Sequence, residues 1–511
     1  MEGFPWWTEK QRKLAEEVNI VVDETILPLA EKCSWRKEYP WVGVREVAKR
    51  GWFGALIPAE YGGRGEEWGV TGMCIILEEL ARAGEAFTPM AVTIQGGLSQ
   101  LLHHGNEEQR QRWLPRIAKG ELLASITITE PYAGSDAAAI ETIATREGDV
   151  YVVNGKKRFQ TGAAVADLYM TYVKTSDQPE DRAKYRHLTG LIIEKGTPGF
   201  TIEKVNDLMG FEGVYNCCLN FDNVRVPAAN RLGEEGDGWM VMMSGLNLER
   251  IVGAATFLGL MREPLRYAVQ HLERRVQFGQ PLINVTTNQF KVADMISRLL
   301  MARLITYHTA HLLDLGKDTP LEAATAKLFS SESLLQSAVE AIQCMGGNGV
   351  TKYYPVERIM QHAKVTQIYQ GTNEIMKVII FRQGLRSMVN DLKVPFRAID
   401  DELKVPMPLG KAPPLKTASS EEDLLAVLAE EYRVNTGLHM TKEDIKERLD
   451  ISDEDFNKYL ISLEEKGLIN LFRDRRGTIT LARATFIGLA KANPLEYYKY
   501  TPSWVNEEDI F

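Results

Sequence analysis

The sequence predicts an α+β chain of 511 residues. It divides into an N-terminal helical domain (1–122), a central antiparallel β domain (123–237), a C-terminal four-helix bundle (238–390), a Pro-rich linker (391–420) and a small extension (421–511). Three changes of pattern carry that division. Apolar residues recur at helical spacing up to Leu122, alternate with a period of two from Ala124, and return to helical spacing at Gly238. From Asp391 to Ser420, prolines (Pro395, Pro406, Pro408, Pro413, Pro414) replace periodicity altogether.

Each element has a local cause. Thr8 is placed to cap a helix over Glu9–Leu29, with Ile20, Val21 and Ile26 at helical spacing. Gly51 to Gly63 is punctuated by Gly and Pro and reads as a turn. Helices follow over Val70–Ala83, Met90–His104 and Glu107–Ala118, the last with charges suited to a solvated face. Ala124-Ser-Ile-Thr-Ile-Thr129 alternates and is rich in β-branched residues, as a strand requires. Further strands are expected at Tyr151–Lys156, Leu168–Val173, Leu188–Glu194 and Cys218–Val226. Long helices occupy Gly238–Val276, Thr287–Leu315, Leu321–Met345 and Asn373–Val389. In the extension, helices are expected over Glu421–Tyr432, Thr441–Leu449 and Ser452–Lys466. Thr441 and Ser452 each have an Asp three residues on, a capping-box spacing. Gly467–Leu481 then reads as a hairpin, with a helix from Ala482.

Composition excludes several classes. Apolar residues make up 44% and charged residues 25%, ordinary for a soluble globular chain. A net charge of −9 excludes a generally basic nucleic-acid binder. Five cysteines, without a CxxC pair, suit reduced thiols and provide neither a disulfide framework nor a metal site. The first ten residues lack the basic end and apolar core of a signal peptide. No apolar run is long enough to span a bilayer. A cytoplasmic protein without a membrane partner is therefore expected, although a transit peptide removed from a mature chain stays open.

Several stretches bear on chemistry. Gly245-Leu-Asn-Leu-Glu-Arg250 puts one acid, Glu249, on a helix made otherwise of Met, Leu, Ile, Ala and Gly. Such an acid is either a surface group paired to a base or a buried carboxylate whose raised pKa lets it take a proton. Gly253, Ala254, Ala255 and Gly259 permit close approach to that helix. Thr129-Glu-Pro-Tyr-Ala-Gly-Ser-Asp136 is a tight turn after a strand, either a surface hairpin or a loop offering backbone N–H groups to a ligand. Gln95-Gly-Gly97 marks either extra room beside a helix or a break in it.

These segments, with Gly51 to Gly63, Lys156-Lys-Arg-Phe-Gln-Thr-Gly162, Arg275-Val-Gln-Phe-Gly279, Gln343-Cys-Met-Gly-Gly-Asn-Gly349 and Ile368-Tyr-Gln-Gly-Thr-Asn-Glu374, fall in the order found in the flavin-dependent acyl-CoA dehydrogenases. The chain resembles that family from near its start to about Gly384. The resemblance implies FAD, with Ile126, Ile128, Thr129, Gly134 and Ser135 along the flavin and Ser135 also near the CoA pyrophosphate. Tyr132 stands where the family has Gly. Phe159 replaces a Trp against the flavin ring, Gln160 replaces an Ile, and Thr161 matches. Arg275 and Phe278 resemble the residues that reach the FAD of a neighbouring subunit, and Gln343, Gly346 and Gly347 the segment that closes over its adenosine. Thr286 falls where the family has Gln. Thr372 and Asn373 belong to the same cofactor set. A site shared in this way implies a homodimer or homotetramer.

The catalytic base departs from the commonest family pattern. Tyr369-Gln-Gly-Thr372 stands where most members have Tyr-Glu-Gly-Thr, and the amide of Gln370 cannot take a proton. Isovaleryl- and long-chain-type members carry the acid on the earlier helix in a Leu-x-x-Glu-Arg context, which Leu246-Asn-Leu-Glu-Arg250 matches. The resemblance therefore makes Glu249 the base. Asn247, Arg250, Gln370 and Gly371 lie on the substrate side, and the Gln370 backbone N–H serves the thioester oxygen. It implies α,β-dehydrogenation of an acyl-CoA to a trans-2-enoyl-CoA, with hydride passed to FAD and electrons to an electron-transfer flavoprotein. An enoyl-CoA reductase running the same site backwards is one alternative. A flavin-binding regulator with a DNA-binding tail is another. The tail, three helices and a two-stranded wing, resembles a winged helix. Its third helix opens with Asp453-Glu-Asp455, leaving only Arg473, Arg475 and Arg476 as suitable charges, so protein contact is expected rather than nucleic acid.

Overall fold

The computed structural model describes residues 3–34, 39–83, 96–211, 213–392, 416–434, 439–474 and 477–492. The chain forms two compact units, Met1–Lys393 and Val394–Phe511.

The first unit opens with helices α1 (Glu9–Val21), α2 (Leu27–Ser34), α3 (Trp41–Lys49), α4 (Gly65–Ala81), α5 (Leu98–His104) and α6 (Glu107–Ala118). Thr8 starts α1 through a capping box with Gln11, and Asn106 starts α6 the same way with Gln109. The helix predicted over Glu9–Leu29 is interrupted by one wider turn at Val22–Ile26. Within α4, Gly69 leaves helical geometry. Asp314 occupies the space a side chain would need there and accepts the Val70 and Thr71 N–H groups at 2.6 and 3.1 Å. The regular part of α4 therefore starts at Val70.

The middle layer holds β1 (Ala124–Thr127), β2 (Ile143–Glu147), β3 (Val150–Gln160), β4 (Leu168–Lys174), a short helix α7 (Pro179–Ala183), β5 (Leu188–Glu194), β6 (Phe200–Val205), β7 (Cys217–Pro227) and β8 (Arg231–Leu232). Its order is β6-β7-β3-β2-β4-β5-β8, with β1 on β4. The expectation of a purely antiparallel sheet needs correction. β2 meets β4 only at Ile143 and Lys174, so the rest of that edge of β4 is open, and β1 fills it in parallel register from Ala124↔Leu168 to Thr127↔Thr171. A parallel pair needs a crossover between its strands, and β2 and β3 supply one.

The helical layer that follows has α8 (Gly238–Arg274), a small hairpin of β9 (Val276–Gln277) and β10 (Gln280–Pro281), α9 (Thr286–Asp314), α10 (Pro320–Met345), α11 (Val356–Thr366) and α12 (Asn373–Leu392). The four predicted long helices are present, and α11 is a fifth, shorter one. One core joins α1, α4, α8, α9 and α10, centred on Ile251, Phe257, Leu258, Leu80 and Tyr307. A second joins α5, α6 and the start of α8 to one face of the sheet. Glu78, Arg303 and Tyr307 form a buried polar cluster within the first core.

The second unit has β11 (Lys416–Thr417), α13 (Glu421–Val434), α14 (Lys442–Lys446), β12 (Leu449–Asp450), α15 (Asp453–Glu465), β13 (Ile469–Arg473), β14 (Ile479–Ala484) and α16 (Phe486–Ala492). Thr441 forms the predicted capping box with Asp444. Ser452 caps α15, but the Asp455 carboxylate takes its hydroxyl rather than its N–H. The helix expected from Ala482 is a correction: β14 continues to Ala484, because Ala482 and Ala484 are buried and pair with Leu471 and Ile469. Arg475 and Arg476 lie outside the described residues.

Candidate functional site

Alternation along β1 sets the first part of the site. Ser125 and Thr127 face one side, where Ser125 Oγ donates to the Thr161 carbonyl at 2.8 Å and Thr127 Oγ1 to Thr171 at 2.8 Å. Ile126 and Ile128 are half-buried on the other side. The turn from Thr129 to Ser135 is pinned from below by Glu130 and Lys157. Lys157 Nζ donates to Glu130 Oε1 at 2.8 Å and to the carbonyls of Ile128 and Tyr172 at 3.0 and 2.6 Å. Glu130 in turn accepts the N–H groups of Glu141 and Thr142. Burial pulls the Lys157 ammonium down to about 8, opposed by the Glu130 charge.

Strand β3 loses register with β7 between Lys157 and Gln160, and Phe159 there adopts φ 62°. That conformation is costly for an aromatic residue. It leaves the ring 48% exposed beneath the Arg158 guanidinium. Gln160 Nε2 and Arg158 N both donate to the Thr129 carbonyl, tying the bulge to the turn. Gly134 has open space around it, and Tyr132 is 87% exposed. A half-buried isoleucine pair, an exposed aromatic on a strained backbone and a Gly-containing turn at one sheet end fit a planar cofactor with a phosphate tail.

The second part lies on α8. Glu249 is 8% exposed, and among the described ion pairs it has none. A surface acid paired to its neighbour is thus excluded: Arg250, also buried, donates to Asn247 Oδ1 at 3.1 Å instead. Burial pushes the Glu249 carboxyl up to about 7, against the lowering effects of a hydrogen bond from Gln100 and the Arg250 charge. Burial likewise lowers Arg250 from its usual value, opposed by Glu249. Tyr172 on β4 is pushed well up by burial and then by the Glu249 charge, which links the carboxylate electrostatically to the sheet.

The turn after α11 completes this part. Gln370 has φ 58° and Gly371 φ 89°. The Gln370 side-chain oxygen lies over Gly253, where a Cβ would collide with it. Lys327 on α10 is fully buried and donates to the Gly371 carbonyl at 2.9 Å and to Asn373 Oδ1 at 2.8 Å. Burial and then the Arg250 charge lower its ammonium to about 7. Asn373 also bonds Ser331 and Glu332. Thr372 Oγ1 accepts the Ile375 N–H. Gln100, Lys327 and Lys157 escape sequence reasoning because each acts through a partner remote in the chain.

Gln95 lies outside the described residues, and Gly96-Gly97 is a turn rather than helix interior. Gly97 has φ 82°, and side chains at Gly96 and Gly97 would strike the Ala124 backbone and Met170. These glycines serve close packing on the sheet.

The third part is separate. Arg275, Phe278, Thr286, Gln343, Gly346 and Gly347 are all exposed, Phe278 at 95% and with φ 54°. Their two segments share a core of Leu272, Met295, Ala341, Met345 and Val356. Arg275, the cap just past the end of α8, follows Glu249 by 26 positions, a rise of about 39 Å at 1.5 Å per residue.

Among the described residues, no helix is long and apolar enough to cross a membrane, and no group of three or more His, Cys, Asp or Glu side chains is arranged to hold a metal.

Three family models match: acyl-CoA dehydrogenase N-terminal domain over 8–121, middle domain over 125–224 and C-terminal domain over 236–385. An acyl-CoA dehydrogenase of Bacillus subtilis is 38% identical over 374 residues, 73% of this chain and 97% of the relative. Isovaleryl-CoA dehydrogenase of Pongo abelii is 35% identical over 381 residues, 73% of this chain and 88% of the relative. The solved butyryl-CoA dehydrogenase of Megasphaera elsdenii superposes with a TM-score of 0.71 at 34% identity, covering 75% of this chain and all of that one. With all three domains of the fold matched in order around the buried acid of α8, the chain belongs to the acyl-CoA dehydrogenase family of FAD-dependent oxidoreductases.

Proposed function

We propose that this chain removes the α-proton of an acyl-CoA thioester with Glu249 while the β-hydride leaves to FAD, giving a trans-2-enoyl-CoA. The observation that carries this is the buried Glu249 carboxylate, without an ion pair among the described residues, one turn of α8 before Gly253, where the amide of Gln370, which cannot act as a base, packs. A carboxyl raised to about 7 is ionised in a useful fraction at neutral pH and basic enough to accept a proton from carbon. The Gln370 N–H, which has no protein acceptor among the described residues, is held on a turn clamped by Lys327 and suits the oxygen where enolate charge develops. Asn247 orients Arg250, whose charge favours the ionised base.

When bound, FAD supplies the hydride acceptor. Ile126, Ile128, Thr129, Gly134, Ser135, Phe159 and Thr161 would hold its ring end, with Thr372 and Asn373 opposite. Arg275, Phe278, Thr286, Gln343, Gly346 and Gly347 form a separate exposed group around the C-terminal end of α8. They would serve the flavin of a second copy, in a homodimer or homotetramer. Exposed apolar side chains on α9 (Leu300, Met301, Leu304) and α12 (Phe381, Leu385, Met388) give such copies faces to bury. An electron-transfer flavoprotein is the proposed acceptor and the cytoplasm the proposed compartment, the latter supported by the free thiols of Cys74, Cys217, Cys218 and Cys344 among the described residues.

We place domain limits at 122, 237 and 390, with a linker to 420 and a winged-helix-like unit beyond. The order α13-α14-α15-β13-β14, with Met440 bridged to Ala482, supports that likeness. Lys442 and Lys446 both pair with Asp453, and Arg473 with Glu464, which favours protein contact over nucleic acid.

Anaerobic titration with a panel of straight and branched acyl-CoAs tests the reading. The flavin should bleach with at least one of them, and E249Q should slow that bleaching by about 10²–10⁴-fold. Unchanged bleaching in E249Q sinks the proposal. A group near 7 also serves as an acid, so enoyl-CoA reduction is the second reading. Faster reoxidation of reduced flavin by an enoyl-CoA than reduction by its saturated partner would select it.

A further inference from the structure

Glu249 stands between two glycines of its own helix, Gly245 one turn before and Gly253 one turn after. Each leaves a socket filled by a glutamine from elsewhere: a Cβ on Gly245 would collide with the Gln100 amide, and one on Gly253 with Gln370. Gln100 comes from α5 in the N-terminal helical domain and is fully buried. Its Nε2 donates to Glu249 Oε1 at 3.1 Å. Its own Oε1 is buried without a partner among the described residues. A buried amide oxygen left unpaired is costly, and Leu or Met would fill the same space without that cost. The amide is therefore retained for what its N–H does to the carboxylate.

Resting on the assignment of Glu249 as base, we propose that Gln100 is its positioning residue, holding the ionised carboxylate in place from across the domain boundary. Its N–H donates to the carboxylate and so favours the ionised base over the protonated one. The other charged or titratable groups facing Glu249 are Arg250 from its own helix and Tyr172 from β4. Lys327 on α10 faces Arg250. Gln100 and Arg250 are the two that favour the ionised form.

The test uses the FAD-loaded full chain and two variants that displace the amide differently. Q100L deletes it, and G245A adds a methyl group that pushes it off the carboxylate. Infrared difference titration, with the Glu249 carboxyl band identified by its loss in E249Q, reads protonation without turnover. The pH dependence of kcat/KM with butyryl-CoA and isovaleryl-CoA reads it in catalysis. In both variants the infrared midpoint should rise by on the order of one pH unit. The acid limb of kcat/KM should rise with it, so that the rate loss is greatest at low pH. Unmoved midpoints with a uniform rate loss at every pH would make Gln100 a packing residue and overturn the proposal. If E249Q retains turnover, the base assignment fails instead, and the infrared midpoint still decides whether Gln100 governs that carboxyl.

Discussion

At the scale of single residues, burial decides the behaviour of Glu249, and its sign is testable. The folded carboxyl sits at about 7 and the unfolded one near the ordinary 4.5. Between those values the folded chain holds a proton that the unfolded chain releases, so stability falls as pH rises through the window. E249Q removes that loss. It should be more stable than the parent at pH 8 by up to about 3 kcal/mol, with the difference gone below pH 4.5, as read by urea unfolding. Activity runs the other way. As the base must be ionised, kcat/KM of the parent should decline below about pH 7, and a flat profile down to pH 5 would exclude Glu249. Phe159 gives a second residue-scale expectation. Its left-handed backbone costs about 1 kcal/mol, so F159G should leave the flavin-free protein at least as stable while weakening FAD retention. A large loss of stability in F159G would mean that the ring belongs to the core.

At the scale of elements, the site depends on buried lysines that hold turns. Lys327 bonds the turn carrying Gln370 and Gly371 to α10, and Lys157 bonds the turn after β1 to β3 and β4. K327M would leave the Gly371 carbonyl and part of Asn373 unpaired, at a cost of about 1–3 kcal/mol in unfolding free energy. The Lys327 ammonium is depressed from 10.5 to about 7, so the folded chain sheds that proton first and the parent gains stability as pH rises between those values. The K327M deficit should therefore widen toward pH 10. A deficit independent of pH would show that the lysine titrates normally. The turn after β1 was legible as a loop from Pro131 and Gly134. The lysine clamps of both turns were not, because Lys327 lies 44 residues from Gly371 and Lys157 lies 29 from Ile128, and no local pattern links them.

At the scale of the whole molecule, the exposed group containing Arg275 and Phe278 stands apart from the rest of the site residues, and we assign it to the flavin of a second copy. Phe278 is too exposed to support its own fold, so F278A should leave subunit stability unchanged and reduce flavin retention, measured by gel filtration with absorbance. Equal retention would argue against a shared site. The family models reach residue 385, and the chain forms a separate compact unit after Lys393. A chain truncated after Lys393 is expected to keep FAD and to be reduced by acyl-CoA. Loss of the flavin would give the second unit a structural role. Duplex DNA should not bind the full chain with the steep salt dependence of phosphate contacts. Binding that weakens sharply with salt would restore the regulator alternative.

The sequence by itself determined the helix–sheet–helix order, the four long helices, and the caps at Thr8 and Thr441, because periodicity and capping are local properties of the chain. Tertiary structure alone decided that Glu249 is buried, that Gly96 and Gly97 pack on the sheet, that β1 enters β4 in parallel, and that Gln100 reaches the carboxylate. Each of those is a contact between segments far apart in sequence, where solvent exclusion and close approach, rather than residue type, set the outcome.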